Sequence, residues 1–215
     1  MPEIVCDNDI VSKLAQWSLL ESLGDSYEVD SKAIGVLGAL RFVIGPRLGR
    51  LGRPDVVETF EHFLHNALIL EPDDAEIELA ANIEKIALDL NLDFDTGESI
   101  LVSIAINRST GRILTGDKRA LSSLPKLSSQ LPILVQLKGH FDTLEHIVAR
   151  MVKRLGAESI RDHICKDASC DKALTICFAC GRSSPSTAAI LDGLSSYTRS
   201  TAGASGNFCG AELVR

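Results

Sequence analysis

The chain is poor in aromatic residues, 5% in all with a single tryptophan, and no apolar run approaches the roughly 20 residues of a membrane span. The opening Met1-Pro2-Glu3-Ile4 carries no charged segment followed by an apolar one, so a secretory signal is not expected and a cytoplasmic location is. An excess of basic charge is also missing. The net charge is -7, which argues against nucleic-acid binding through overall basicity and leaves only a local patch for that purpose. No Asn-Gly or Asp-Gly pair separates two alternating apolar runs, so hairpins are not expected.

What is present is enough for a substantial core: 215 residues, 45% hydrophobic and 24% charged. Six cysteines in a chain of this size, without a secretory leader, are expected to be reduced. His163, Cys165, Cys170 and the Cys177-x-x-Cys180 pair hold enough soft ligands for a zinc reading. Cys177 and Cys180 fall in a helical stretch ending at Gly181, however, and structural thiols are the preferred reading.

Along the chain, short apolar runs alternate with longer segments of helical spacing. Glu3 to Cys6 reads as a strand ending at Asp7, followed by a helix from Val11 to Leu23. Ser31 to Val43 reads as a helix stopped by Gly45-Pro46, and Arg47, Arg50 and Arg53 sit in the glycine-rich loop beyond. Apolar recurrence predicts helices over 55–68 and 73–90, then a buried helix over 99–106. Ile113-Leu114 is a short strand, Lys118 to Leu124 a helix, Leu131 to Leu137 a further strand and Asp142 to Leu155 a helix closed by Gly156. Such alternation indicates an α/β fold with a largely parallel sheet covered on both faces over 1–155. A helical extension over 156–215 follows, with short helices near 158–164, 170–179 and 191–197 and a loose Ser/Gly/Ala-rich stretch over 199–206.

Chemistry concentrates at the strand ends. Asp7 and Asp117 each close a strand, at the sheet edge where open α/β folds bind ligands, and Glu98 opens the helix that leads back to the second strand. Three converging carboxylates repel one another unless a cation neutralises them. With no His/Cys set beside them, hard divalent ions, Mg²⁺ or Mn²⁺, are the expected cofactors. Such a cluster serves phosphodiester hydrolysis. Lys13, Lys118 and Arg119, with Arg50 farther off, are the candidate contacts to a phosphate backbone.

The motifs Ile4-Val5-Cys6-Asp7-Asn8-Asp9-Ile10, Asp95-Thr96-Gly97-Glu98 and Leu114-Thr115-Gly116-Asp117-Lys118-Arg119-Ala120-Leu121, in order over about residues 3 to 140, resemble the three motifs of PIN domains. The resemblance implies a three-layer α/β/α sandwich and a metal-dependent endoribonuclease. Asp7, Glu98 and Asp117 would be metal ligands, with Asp9 or Asp95 in support. It also implies RNA as substrate and, as in the VapC toxins of that family, an antitoxin partner and a homodimer.

PIN nucleases commonly supply a further acid from an early helix, where this chain offers Glu58, Glu61, Glu76, Glu78 and Glu84 with nothing to single one out. Two other readings stay open: a PIN-like module that binds RNA or protein without cleaving, and, ranked lowest, a phosphohydrolase using Asp7-Asn8-Asp9, against which Lys118 stands beside the last aspartate rather than well before it as a helper lysine would.

Overall fold

A computed structural model describes residues 1–210, 212 and 213; the end of the expected extension, at 211, 214 and 215, lies outside them. Five parallel strands form one sheet: β1 (Ile4–Cys6), β2 (Ile34–Leu37), β3 (Leu68–Leu70), β4 (Arg112–Leu114) and β5 (Phe141–Asp142), in the order β3-β2-β1-β4-β5. Alternation within the strands divides the core in two. Ile4, Cys6, Ile34, Val36 and Leu114 face one hydrophobic cluster, whereas Val5, Leu70 and Ile113 face the other. Helices cover both faces, so the expected α/β architecture with a parallel sheet holds, in the three-layer arrangement.

The first face carries α1 (Asn8–Gln16), α2 (Ser22–Tyr27), α3 (Leu40–Gly49), α4 (Pro54–Asn66) and α8 (Leu144–Leu155). The second carries α5 (Asp74–Asp89), α6 (Thr96–Asn107) and α7 (Lys118–Gln130). Beyond Gly156 come α9 (Ala157–Lys166), α10 (Lys172–Cys177) and α11 (Thr187–Ala204), whose Ile160, Ile164, Leu174, Ile190 and Leu194 complete the first cluster. The 199–206 stretch expected to be loose is helical as far as Ala204, because Thr198, Thr201 and Ala202 are buried on one face at helical spacing. Among the described residues no helix is long and apolar enough to cross a membrane.

Several local expectations are corrected. Ser31 to Val43 is not one helix: a 3-10 turn over Ser31–Ala33 leads into β2, and α3 begins at Leu40. Ile34 and Val36 alternate as a strand requires. Gly35 lies so close to β3 that a Cβ there would sit 2.6 Å from a methyl carbon of Leu70. Gly45-Pro46 does not stop α3. Proline removes one intrahelical hydrogen bond, and the buried series Leu40, Ile44, Leu48 keeps the helix against the core through it. Leu68, expected to end a helix, begins β3.

Leu131 to Leu137 is also not a strand: Pro132–Leu137 is a 3-10 helix that buries Leu134 and Leu137, three residues apart, and exposes Ile133 and Val135. The fifth strand is instead Phe141–Asp142. The expected helix from Val11 to Leu23 is two, broken where Ser18 adopts a φ of 55°.

Reduced thiols throughout were expected, but Cys165 and Cys180 form a disulfide, with Cα atoms 5.2 Å apart, joining α9 to the turn after α10. Cys177 and Cys180 therefore do not act as a chelating pair, and Cys6, Cys170, Cys177 and Cys209 remain free. Closing a loop of 15 residues stabilises by about 3 kcal/mol in the chain-entropy model. Thiol titration of the denatured, unreduced protein should count four free thiols. A reductant should lower the melting temperature, and Cys165→Ser should reproduce that loss; six titratable thiols, or no thermal effect, would remove the bond.

Candidate active site

The sheet winds outward in both directions from β1: β2 and β3 lie on one side, β4 and β5 on the other. The chain therefore diverges at the carboxyl ends of β1 and β4, which leaves a crevice there. Asp7 follows β1 directly, and its backbone N–H donates to Leu114 O at 2.9 Å. Thr115 and Gly116 follow β4. Because α6 returns antiparallel to β4, its first turn brings Asp95 and Glu98 to the same rim.

The resulting cavity of about 640 Å³ is lined by Asp7, Asp9, Asp95, Glu98, Asp117 and Asp171, together with Arg47, Lys118 and Arg119. All three principal carboxylates named from the sequence, and both supporting ones, thus share one crevice. Asp171 was not foreseen. It lies at the start of α10, in a part of the chain read only for its cysteines, and the one signal for it is an N-cap aspartate before Lys172.

Each acid is held locally. Glu98 and Asp95 form a capping box: Asp95 N donates to Glu98 Oε2 at 2.7 Å, and Glu98 N donates to Asp95 Oδ1 at 2.9 Å. Asp117 caps α7, its Oδ1 accepting from Arg119 N at 2.8 Å and Ala120 N at 3.0 Å. Asp7 precedes α1 but makes no side-chain cap, and its Oδ2 accepts from the Thr115 hydroxyl at 3.4 Å. Asp9 packs against Gly116 so closely that a Cβ at Gly116 would lie 2.1 Å from Asp9 Oδ2. Glycine there lets the β4–α7 turn approach the acids.

The cations are largely committed. Lys13 Nζ bridges Asp9 at 2.9 Å and Asp171 at 3.0 Å. Lys118 is paired with the buried Glu145 and lies 5.1 Å over the Tyr197 ring. Arg119 returns to Asp117 at 3.3 Å. Arg50 carries no ion pair among the described residues and does not line the crevice, whereas Arg47 does line it.

The early-helix glutamates stay outside the crevice. Glu76 is fully buried in a second capping box and paired with Arg108 at 2.7 Å. Glu61 meets Arg41, and Glu84 accepts from Thr96 on the flank of α6.

Crowding shows in the protonation of two groups. Burial, reinforced by Asp9 and Asp95, pushes the Asp7 carboxyl up to about 6 against the opposing hydrogen bonds from Asn8 N and Thr115. Burial also pushes Glu98 up to about 8; the Asp95 N–H opposes this, and Asp95, Asp117 and Asp7 add to it. These charges raise one another, so they share one field. Among the described residues no group of three Asp, Glu, His or Cys side chains is arranged to grip a single ion.

The pH dependence of stability follows in sign. The folded state holds protons on Asp7 and Glu98 that the unfolded chain releases near 3.8 and 4.5. Their contribution is therefore full below that range and is lost as pH rises through about 6 and then about 8. In metal-free buffer the melting temperature should fall between about pH 5 and about pH 8.5, and Glu98→Gln should flatten the upper part of that fall. The expected scale is about 2–4 °C for each kcal/mol in a chain of this size. Identical curves for wild type and Glu98→Gln would remove the shared field.

No family model, curated protein or solved structure matches this chain.

Proposed function

We propose that the crevice is the active site of a divalent-metal-dependent endoribonuclease. The observation that carries this reading is the gathering of Asp7, Glu98 and Asp117 in one cavity at the topological switch point of a parallel sheet, with Glu98 and Asp7 protonated well above the usual carboxylate range. A cation would offset both the burial of these carboxylates and their mutual repulsion. The donors are all hard carboxylate oxygens, the kind Mg²⁺ and Mn²⁺ take, so the residues fit the ion in chemistry. When bound, such an ion supplies a water of lowered pKa and neutralises charge on the phosphate.

The chain's own residues do the rest. Asp7 and Glu98, in their ionised forms, and the Oδ2 side of Asp117 would hold the ion, with Asp9 and Asp95 as negative neighbours that strengthen the attraction. Arg119, paired with Asp117 at 3.3 Å, would serve a phosphate oxygen if Asp117 held an ion instead. Arg47 faces the same cavity from α3 and balances a polyanion that the net charge of -7 would otherwise repel.

A binding module that does not cleave is the second reading. It is favoured by the capping hydrogen bonds, which occupy Glu98 Oε2 and Asp117 Oδ1.

Amide variants separate the two. Asp117→Asn keeps the cap acceptor, Glu98→Gln keeps the capping-box oxygen and Asp7→Asn changes no cap, so each removes charge while leaving the local fold. With labelled RNA and Mn²⁺, wild type should cleave, and chelation should stop it. Each variant should lose at least about 100-fold, since even residues that only orient a metal ligand cost about 10–100-fold. Equal cleavage by wild type and Asp117→Asn would overturn the assignment, and RNA binding without cleavage by any form would favour the binding module.

A further inference from the structure

Helix α3 leaves the carboxyl end of β2 beside the crevice and shows two unlike faces. Leu40, Ile44 and Leu48 face the core. Val43, Arg47 and Arg50, at i, i+4 and i+7, form an outward stripe that runs about 10 Å along the helix from the crevice wall. Flanking it, Phe42 is 78% exposed, the most exposed aromatic ring among the described residues, in a chain with few aromatic residues to spare. Val43 itself is 39% exposed and lines the crevice with Arg47.

Charge accounting at the crevice points to the same helix. Around the crevice, Lys13, Lys118 and Arg119 are each taken by a carboxylate, and on the flanks Arg41 and Arg53 are taken by Glu61 and Asp55. Arg47 and Arg50 have no ion pair among the described residues. Two unpaired guanidinium groups on the same short helix as a solvent-facing aromatic ring, on an acidic protein, suit a ligand that is both polyanionic and planar-ringed. A helix for coiled-coil contact would carry a continuous apolar seam, which this face does not.

We infer that α3 is the substrate track for single-stranded nucleic acid: Arg47 and Arg50 hold the backbone phosphates and Phe42 stacks an unpaired base, which directs the strand into the crevice. The inference rests on the nuclease reading for where the strand leads, but not for whether it binds. Stacking needs an unpaired base, so a duplex of equal length binds less well. Neither contact reads the ribose hydroxyl, so RNA and DNA strands of one sequence bind alike.

The test is anisotropy of a labelled single-stranded RNA on full-length Asp117→Asn protein in chelator without divalent metal, where metal-dependent cleavage cannot proceed and binding alone is read. Phe42→Ala should weaken binding at least about fivefold. Arg47→Ala with Arg50→Ala should lower the slope of log affinity against log salt by about 1.4, the loss of two phosphate contacts on a single strand. Lys85→Ala, exposed on α5 on the opposite layer, should change neither. Unchanged binding in the Phe42 and double-arginine variants overturns the track even if wild type cleaves RNA. Weakened binding in those variants supports it even if wild type cleaves nothing, in which case the nuclease reading alone fails. A protein dimer that Phe42→Ala dissociates, with RNA binding intact, would reassign the face to a second copy and overturn the proposal.

Discussion

Strand β1 is committed on every side. It pairs with β2 along one edge and β4 along the other, and its three residues are buried in alternate directions. A strand so enclosed has no freedom of register, because a shift of one residue would turn Val5 into the wrong cluster and expose the packing of Ile4 and Cys6. Asp7 is therefore delivered to one point in space, where the two halves of the sheet part. Everything acidic in the crevice is built around that point: α1 continues from it with Asp9, the β4–α7 turn crosses it through Gly116, and α6 returns to it with Glu98.

Placing that much negative charge at one rim works against the folded state, and the surroundings show how the strain is spread. Lys13 spans Asp9 and Asp171, from separate parts of the chain, and backbone N–H groups at the starts of α6, α7 and α10 meet Asp95, Asp117 and Asp171. Helix termini supply partial positive charge without adding a side chain that would block the cavity. What they leave unbalanced stands on Asp7 and Glu98, the two groups whose protonation rises. Local capping thus engages Glu98 Oε2 and Asp117 Oδ1, while Asp7 has no side-chain cap.

Asp7 and Asp117 were legible in the sequence because each lies at the boundary between a short apolar run and a helix, and Glu98 because it opens a long apolar helix. Strands β1 and β4 and helix α6 were legible as apolar runs bounded by polar residues, and helix α5 by its helical period. Strand β2 was not: Ile34, Leu37 and Leu40 also fit a helical face, and only pairing with β1 and the close approach of Gly35 to Leu70 decides the matter. Leu131–Leu137 misled in the opposite way, since an apolar run carries no period and the burial of every third residue appears only after folding. Asp171 and the Cys165–Cys180 pair depend on how the last helices return over the first face, a long-range fact that local pattern does not encode.

The last described residues run alongside the sheet's final strand. Phe141 N donates to Phe208 O at 3.2 Å, Phe141 bridges Cys209 in parallel, and the rings of Phe141 and Phe208 meet edge to face at 6.3 Å. That margin of the sheet is sealed by its own chain. At the far margin, β3 pairs on one side alone among the described residues and leaves Ile69 45% exposed. The sheet therefore has one protected border and one adhesive border, and strand addition from outside, whether by a ligand peptide or by misassembly, is confined to β3.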